Sequence, residues 1–285
     1  MSNANVKSLT SKDGTTIHAD AIGDPSKPHV VFVHGLSLSG AVFDNLFTDA
    51  RYISSFYLVR YDMRGHGRSG KPEAEEYYLS ERYAEDYLAV ARAFDLKKPI
   101  FVGWSLGATV VADIAKHLPR DTLSGVVYLI GLPYIGKIMQ EVGTPAVLSM
   151  AGLLGTNDDV TKYVQNKFDF ANSVFTNPDS IPYEIKTYWL GISMAQNPIV
   201  AQRVLSRPQD ENALFAWGQE GLPLLILAGS KDKQMDGPEL INKMKPHFTN
   251  CTARIFDGLG HALFYEDPDA VYSTIFDFTR KVKAH

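Results

Sequence analysis

Residues 99–115 read PIFVGWSLGATVVADIA, an apolar run that passes through Gly103–Gly107 into a helical pattern. The pentapeptide has the form G-x-S-x-G, and a position between a strand and a helix is the context in which that motif carries a nucleophilic serine. Glycines on both sides of Ser105 allow neighbouring backbone to pass close to a sharp turn. The following helix directs its N-terminal N–H groups toward whatever the serine attacks. The motif therefore predicts acyl-transfer chemistry at Ser105.

The composition is that of a large globular chain without blocks of charge. Of the 285 residues, 45% are hydrophobic, and 28 basic against 32 acidic residues give a net charge of −4. No basic patch of the kind that binds nucleic acid or a membrane surface is present in the sequence, so we expect neither partner. The N-terminal residues lack the apolar run of a secretory signal, and no long apolar segment predicts a membrane span. With Cys251 as the single cysteine, these features favour a cytoplasmic protein.

Strand-like apolar runs alternate with helical patterns along the chain, which predicts an α/β fold. Uninterrupted runs rich in β-branched residues are typical of a parallel sheet covered by helices on both faces. The first two runs, Val6–Thr10 and Thr15–Ala21, flank a turn at Asp13 and Gly14 and predict a hairpin. Further strands are predicted at Val30–Val33, Phe56–Tyr61, Ile100–Val102, Gly125–Ile130, Leu224–Ala228 and Thr252–Phe256. Helices are predicted at about Leu38–Ala50, Glu81–Asp95, Leu106–Leu118, Pro238–Pro246 and Asp269–Lys281.

One segment interrupts this alternation. Residues 133–216 contain no convincing strand, but they contain helical patterns rich in aromatic residues and methionine. A loop of this length without its own structure is uncommon, and its apolar residues need a surface to bury against. The sequence therefore predicts a core domain formed by residues 1–132 and 217–285, and a helical cap formed by residues 133–216 over the active site. The alternative is a helical layer that lies away from that site.

A serine hydroxyl needs a base that takes its proton and a carboxylate that orients the base. In a doubly wound sheet we expect such side chains just past the carboxyl ends of strands. Asp232 follows the predicted strand Leu224–Ala228, and His261 lies in a glycine-rich loop after the last strand. The chain order Ser105, Asp232, His261 is the one expected for a serine in G-x-S-x-G. We therefore predict these three residues as the catalytic triad.

Other candidates for the acid and the base fit less well. Asp236 lies farther from the strand end than Asp232, and Asp257 precedes His261 in a tight local loop. Three histidines are expected to be structural, because they lie at the end of a buried strand, in a second glycine-rich turn and in the last turn of a helix. They are His34, His66 and His117.

The oxyanion that forms on the substrate needs two N–H donors, and losing one donor costs about 10²–10³ in turnover. The first predicted donor is the backbone N–H of Leu106, directly after the nucleophile. The second is Leu36, in the loop 34–37 that reads HGLS and follows the strand Val30–Val33. Trp104, beside the nucleophile, is a candidate substrate-binding residue, with packing beneath the turn as the alternative.

With these motifs in order, the chain resembles the α/β-hydrolase superfamily from about Val6 to Val282. The matching pieces are VHG at 33–35, DMRGHGRS at 62–69, GWSLG at 103–107, GSKD at 229–232 and GH at 260–261. The resemblance implies an eight-stranded, mostly parallel sheet flanked by helices, with a helical cap inserted after the sixth strand. It also implies a structural role for the turn at 62–69. Relatives similar to haloalkane dehalogenases and epoxide hydrolases carry aspartate at the position of Ser105, so the serine points away from both.

The sequence therefore predicts a serine hydrolase that cleaves a small to medium, fairly apolar ester or lactone through an acyl-enzyme. This chemistry requires no cofactor and no metal, and we expect a small-molecule substrate as the partner. The alternatives are a hydroxynitrile lyase or carbon–carbon bond hydrolase with the same triad, a perhydrolase-like haloperoxidase, and a ligand-binding receptor of this fold. A lyase or carbon–carbon hydrolase would use further polar groups of the cap. The candidate lysines, each expected to be a solvated surface charge, are Lys137, Lys162, Lys167 and Lys186. The choice between a monomer and a homo-oligomer stays open.

Overall fold

The computed structural model describes residues 4–153 and 158–283. Its strands are β1 (Asn5–Thr10), β2 (Thr16–Ile22), β3 (His29–Val33), β4 (Tyr57–Tyr61), β5 (Ile100–Trp104), β6 (Gly125–Leu129), β7 (Leu224–Gly229) and β8 (Cys251–Phe256). They form one eight-stranded sheet in the order β1-β2-β4-β3-β5-β6-β7-β8. β2 pairs antiparallel with β1 and with β4, whereas all other neighbours are parallel. The predicted N-terminal hairpin and the mostly parallel sheet are thereby confirmed.

The central strands are buried along their whole length, which explains their uninterrupted apolar sequences. Every residue of β3, β5, β6 and β7 is buried. β-branched side chains pack well on a pleated surface that is covered on both faces. The edge strand β1 instead alternates between exposed and half-buried residues. Because parallel strands end at one edge of the sheet, the loops after β3, β5, β7 and β8 meet there.

Helices flank this sheet. They are α1 (Asp44–Phe47), α2 (Ala50–Ser55), α3 (Ser80–Ala93), α4 (Val110–His117), α5 (Ile138–Val142), α6 (Pro145–Leu153), α7 (Val160–Ser173), α8 (Tyr183–Met194), α9 (Pro198–Leu205), α10 (Asn212–Gln219), α11 (Gly237–Met244), α12 (Leu263–Glu266) and α13 (Pro268–Lys283). Short 3-10 turns lie at Gly40–Phe43, Glu75–Tyr78, Ser105–Thr109, Arg120–Thr122, Pro178–Ser180 and Lys245–His247. Among the helices in the described part of the chain, none combines the length and the apolar character needed to cross a bilayer.

The single helix predicted at Leu38–Ala50 is wrong in its extent. The structure instead has the 3-10 turn Gly40–Phe43, with Ser39 as its N-cap, followed by the short helices α1 and α2. The division has a local cause. The carboxylate of Asp49 accepts a hydrogen bond from the backbone N–H of Arg51 at 2.8 Å, which caps a new helix start. The chain therefore leaves one helix and begins another within the predicted range.

The segment between β6 and β7 is helical in the described residues, which contain α5–α10 there. Its last helix, α10, continues to Gln219 and packs against α4. The ring of Phe215 stacks on His247 with ring centroids 3.7 Å apart. Before α10, the fully buried Arg207 pairs with the fully buried Asp113 of α4 across 3.2 Å. The end of the segment is thus anchored to the helix that follows the G-x-S-x-G turn.

Candidate active site

Ser105 lies directly after β5, at a turn that its glycine neighbours make feasible. Its backbone φ is 50°, in the left-handed region that residues with a Cβ rarely adopt. A Cβ at Gly103 would lie 2.4 Å from Cα of Ala108, and a Cβ at Gly107 would lie 2.3 Å from the backbone oxygen of Val33. Both distances are far below van der Waals contact, so both positions require glycine. The local sequence therefore sets the turn and presents the serine at the carboxyl edge of the sheet.

His261 and Asp232 form a buried pair at the same edge. Nδ1 of His261 lies 2.7 Å from Oδ2 of Asp232, and each side chain is 1% exposed. Oδ1 of Asp232 accepts hydrogen bonds from the backbone N–H groups of Gln234 at 2.7 Å and Met235 at 3.0 Å. Because a carboxylate surrounded by donors acts as an acceptor, Nδ1 carries the imidazole proton and Nε2 presents a lone pair. Nε2 is buried and has no hydrogen-bond partner in the described residues.

The two rival carboxylates have other partners. Oδ1 of Asp236 accepts the backbone N–H of Glu239 at 2.9 Å and caps α11. Asp257 is exposed, and its Oδ1 accepts the hydroxyl proton of Ser230 at 2.9 Å. Of the carboxylates in residues 4–153 and 158–283, Asp232 is the one hydrogen-bonded to the ring of His261. The three-dimensional structure therefore distinguishes Asp232 from the two other acids that the sequence offers as candidates.

Trp104 is buried beneath the turn and contacts the loop that carries His261. Its indole N–H donates a hydrogen bond to the backbone carbonyl of His261 at 2.9 Å, and the two rings lie 5.6 Å apart. Its remaining ring neighbours are Phe43, Trp189 and Phe264. The residue before the serine thus links the G-x-S-x-G turn directly to the histidine.

The two predicted oxyanion donors belong to the loop after β3 and to the 3-10 turn that begins at Ser105. Leu36 and Leu106 line the same cavity as the serine. Leu106 is the second residue of the 3-10 turn Ser105–Thr109, and an N–H in the first turn has no acceptor within its own helix. The N–H of Leu36 has no backbone acceptor in the part of the chain that the structure describes. A Cβ on Gly35 would lie 3.2 Å from Cβ of Ser105, so the loop after β3 packs against the serine.

An apolar cavity opens beside Ser105. Loops at the sheet edge and helices α5, α6, α7 and α9 form its wall. The lining residues are Leu36, Ser105, Leu106, Leu132, Met139, Val142, Gly143, Val147, Leu148, Phe170, Leu205, Gln234 and Met235. Among these described residues, Ser105 and Gln234 carry the only polar side chains and none is charged. The side-chain amide of Gln234 donates to the hydroxyl of Ser173 at 2.7 Å. Such a wall suits an uncharged, apolar group next to the serine.

Lys167 contradicts the expectation of a solvated charge. It is 0% exposed, and its ammonium group donates hydrogen bonds to the hydroxyl of Ser37 at 3.1 Å and to the backbone oxygen of Ser193 at 2.9 Å. Burial lowers the pKa of Lys167 to about 7. The helical periodicity of the sequence indicates this burial. Tyr163 lies four residues before Lys167 and Phe170 three residues after it, so both aromatic rings share its face of α7. Of the other candidate lysines, Lys137 and Lys162 are exposed and Lys186 is half-buried.

His34 and His66 are buried within the fold, as expected. Nε2 of His34 accepts the backbone N–H of Met63 at 3.0 Å, and its Nδ1 donates to the backbone oxygen of Gly35 at 2.8 Å. Nε2 of His66 accepts from the side-chain amide of Gln196 at 2.9 Å. Burial lowers the pKa of both imidazoles, so both rings are neutral. In residues 4–153 and 158–283, no cluster of three or more His, Cys, Asp or Glu side chains is arranged to hold a metal ion.

The chain is similar to known hydrolases in sequence and in structure. The model of the alpha/beta hydrolase family matches residues 30–274. The chain is 36% identical to a 2-(acetamidomethylene)succinate hydrolase of Mesorhizobium japonicum, over 89% of this chain and 88% of that protein. It is 24% identical to Lipase 1 of Psychrobacter immobilis, over 94% of this chain and 82% of the lipase. The crystal structure of the esterase RhEst1 from Rhodococcus sp. ECU1013 superposes with a TM-score of 0.87 at 24% identity, covering 97% of this chain and 99% of the esterase.

Proposed function

The chain belongs to the alpha/beta hydrolase family, and from that premise we propose that it is a serine hydrolase acting on small to medium, apolar carboxylic esters or lactones. Ser105 is the nucleophile, His261 the general base and Asp232 the carboxylate that orients it. The observation that carries the proposal is the buried hydrogen bond between Nδ1 of His261 and Asp232, which leaves Nε2 without a partner in the described residues. An imidazole held in this tautomer can accept a proton from a serine hydroxyl.

The reaction proceeds in two halves. His261 takes the proton of Ser105 as the serine oxygen attacks the ester carbonyl, and the N–H groups of Leu36 and Leu106 bind the resulting oxyanion. When the tetrahedral intermediate collapses, the protonated imidazole gives its proton to the departing alcohol and an acyl-enzyme remains. Water then transfers a proton to His261 and attacks the acyl carbonyl, and the serine recovers its proton as the carboxylic acid leaves.

The cavity supports an uncharged acyl group. Its apolar wall suits the hydrocarbon part of an acyl group next to Ser105. The Mesorhizobium relative is named for a succinate derivative, which carries two carboxylates. Burial of carboxylates requires cationic or strong hydrogen-bonding partners, and the described cavity wall of this chain contains no charged side chain. We therefore propose that this chain prefers monocarboxylic esters to dicarboxylate substrates.

The helical segment 133–216 acts in this proposal as a cap on the core domain 1–132 and 217–285. Support comes from the composition of the cavity wall. Met139, Val142 and Phe170 of the segment line the same cavity as Ser105. The cap excludes water around the developing oxyanion and shapes the acyl pocket. Trp104, whose indole N–H is bonded to the backbone of His261, serves in this proposal to position the histidine.

Two measurements test the proposed function. A fluorophosphonate probe labels the wild-type protein at Ser105, and p-nitrophenyl esters from acetate to octanoate are hydrolysed, with an optimum at intermediate chain length. Ser105→Ala abolishes both labelling and turnover and leaves the fold intact. Ser206→Ala, at an exposed position, serves as the matched control and retains both. Ester turnover by Ser105→Ala contradicts the nucleophile assignment. Labelling of the wild type without turnover of any ester or lactone redirects the assignment to a lyase or carbon–carbon hydrolase.

A further inference from the structure

The buried ammonium group of Lys167 bridges the helical segment and the sheet. It lies on α7, and its hydrogen bonds reach Ser37, in the loop after β3, and the backbone oxygen of Ser193 on α8. A buried lysine usually pairs with a carboxylate, because an isolated charge in the interior is costly. Within the described ranges Lys167 forms no ion pair; its ammonium group contacts two neutral oxygen atoms and the ring of Tyr163, 5.4 Å from the ring centroid. Burial of an ammonium group without a carboxylate partner lowers the stability of the fold, which indicates that the position of this group serves a function.

Ser37 is the residue that follows the proposed oxyanion donor Leu36. Its backbone φ is 61°, a left-handed conformation that residues with a Cβ rarely adopt. Its hydroxyl accepts the hydrogen bond from Lys167 and donates one to the side-chain oxygen of Gln196 at 2.7 Å. Residues held in such conformations persist only where their surroundings over-determine them. The two hydrogen bonds to its hydroxyl provide that restraint.

The chain of hydrogen bonds continues into a second loop of the core. The side-chain amide of Gln196 donates to the backbone oxygen of Gly65 at 3.0 Å and to Nε2 of His66 at 2.9 Å. The buried chain from Lys167 through Ser37 and Gln196 therefore joins α7 to the loops after β3 and β4. It has few ways to rearrange, because its members, Ser37, His66, Lys167 and Gln196, are each no more than 1% exposed.

We propose that Lys167 is a positioning residue for oxyanion binding: it holds Ser37, and through it the adjacent Leu36 N–H, in the orientation that receives the tetrahedral oxyanion. The inference rests on the proposed function and deepens it. Lys167 does not touch the substrate, since it does not line the cavity beside Ser105. It acts on a step in which the carbonyl oxygen becomes negative. Its loss therefore affects the transition state more than substrate binding.

The decisive comparison uses Lys167→Met, whose side chain is unbranched and of similar length. Lys162→Met, at an exposed position on the same helix, is the matched control. For a p-nitrophenyl ester we expect kcat of Lys167→Met to fall by about 10- to 100-fold with KM within about twofold, because one oxyanion donor is misplaced. A trifluoromethyl ketone, which forms a tetrahedral oxyanion on the serine, loses affinity by a similar factor. The corresponding methyl carbinol, which forms no oxyanion, binds as before. Lys162→Met keeps the wild-type kcat, KM and affinities for the ketone and the carbinol.

Ser37→Ala provides an independent second test, because it removes one oxygen atom and leaves the lysine in place. We expect the same loss in kcat and in trifluoromethyl ketone affinity. Wild-type values for a folded Lys167→Met overturn the inference, as does an equal loss of carbinol and ketone binding. If Lys167→Met does not fold, Ser37→Ala decides by the same criteria. Failure of both to fold assigns the network to stability alone and also overturns it. Absence of any ester turnover or labelling in the wild type contradicts the proposed function instead.

Discussion

Nδ1 of His261 lies 2.7 Å from Oδ2 of Asp232, although the two residues come from loops after different strands. The other oxygen of the carboxylate is held by the backbone N–H groups of Gln234 and Met235. The carboxylate is thus fixed on both sides, and it fixes the imidazole in turn. This relationship is what turns a serine in a sharp turn into a candidate nucleophile, because the free nitrogen of the imidazole is set by the bonded one.

Replacement of Asp232 by asparagine tests this orientation. The amide keeps the shape of the side chain but favours the wrong imidazole tautomer, so we expect kcat to fall by about 10³–10⁴ with little change in Tm. Asp236→Asn is the control, because Asp236 caps α11 instead, and we expect its kcat within a factor of about two and a small loss of stability. Similar losses of kcat in both variants would contradict the assignment of Asp232 as the carboxylate that orients His261.

Gly107→Ala tests the geometry of the turn. Its Cβ would lie 2.3 Å from the backbone oxygen of Val33, so backbone must shift and we expect a loss of about 3 kcal/mol or more in the free energy of unfolding. Gly191→Ala is the matched control, since a Cβ there meets nothing within 4 Å. Gly191 lies inside α8, where replacing glycine by alanine raises the free energy of unfolding by about 0.5–1 kcal/mol. Chemical denaturation measures both, and an unaffected Gly107→Ala contradicts the packing described.

Trp104→Phe tests the link between the turn and the histidine loop. The substitution leaves the backbone carbonyl of His261 without the indole N–H that it accepts at 2.9 Å. We expect a loss of about 1–3 kcal/mol in the free energy of unfolding and a fall in kcat with KM nearly unchanged, because the imidazole is less well held. Trp217→Phe, in α10, is the control for loss of an indole elsewhere. Equal kcat values in the two variants would show that Trp104 does not position His261.

Lys167 makes stability depend on pH. Burial lowers the pKa of Lys167 from 10.5 to about 7, so between these values the unfolded chain binds more protons than the folded one, and the free energy of unfolding rises with pH. The titratable groups nearest Lys167 stay neutral across this range: burial lowers the pKa of His66 well below its usual value and raises that of Tyr163. As the pH rises from about 6.5 to about 9, we expect Tm of the wild type to increase relative to Tm of Lys167→Met. Parallel curves for the two proteins contradict the burial of a titrating lysine.

Val147→Phe tests the acyl pocket. Val147 lines the cavity beside Ser105, so a larger ring reduces its depth. We expect kcat/KM for p-nitrophenyl octanoate to fall by about 10-fold or more while the value for the acetate changes little. Val160→Phe, at a position that is 78% exposed, should leave both values unchanged. A uniform loss across chain lengths would show that the cavity does not hold the acyl group.

The chain alone predicted much of this architecture, because its strongest signals are local. The apolar runs set the strands, and the spacing of Gly103 and Gly107 around Ser105 sets the turn. The single helix at Leu38–Ala50 failed for an equally local reason, since Asp49 starts a new helix within it. Lys167 was misjudged as a surface charge because a lysine on a helix is most often solvated, and the face on which it lies is decided by packing against distant loops.

Local chemistry along the chain, namely glycine at crowded turns and β-branched residues in covered strands, was sufficient to predict the strands, a mostly parallel sheet and the turn at Ser105. Only the tertiary structure decided which of three candidate carboxylates bonds to His261, that Trp104 contacts the loop of His261, and that the ammonium group of Lys167 is buried. These features depend on contacts between segments up to 157 residues apart, as between Trp104 and His261. Periodicity and motif spacing report the conformation of one segment, whereas such contacts are set by how the packed segments exclude water from one another.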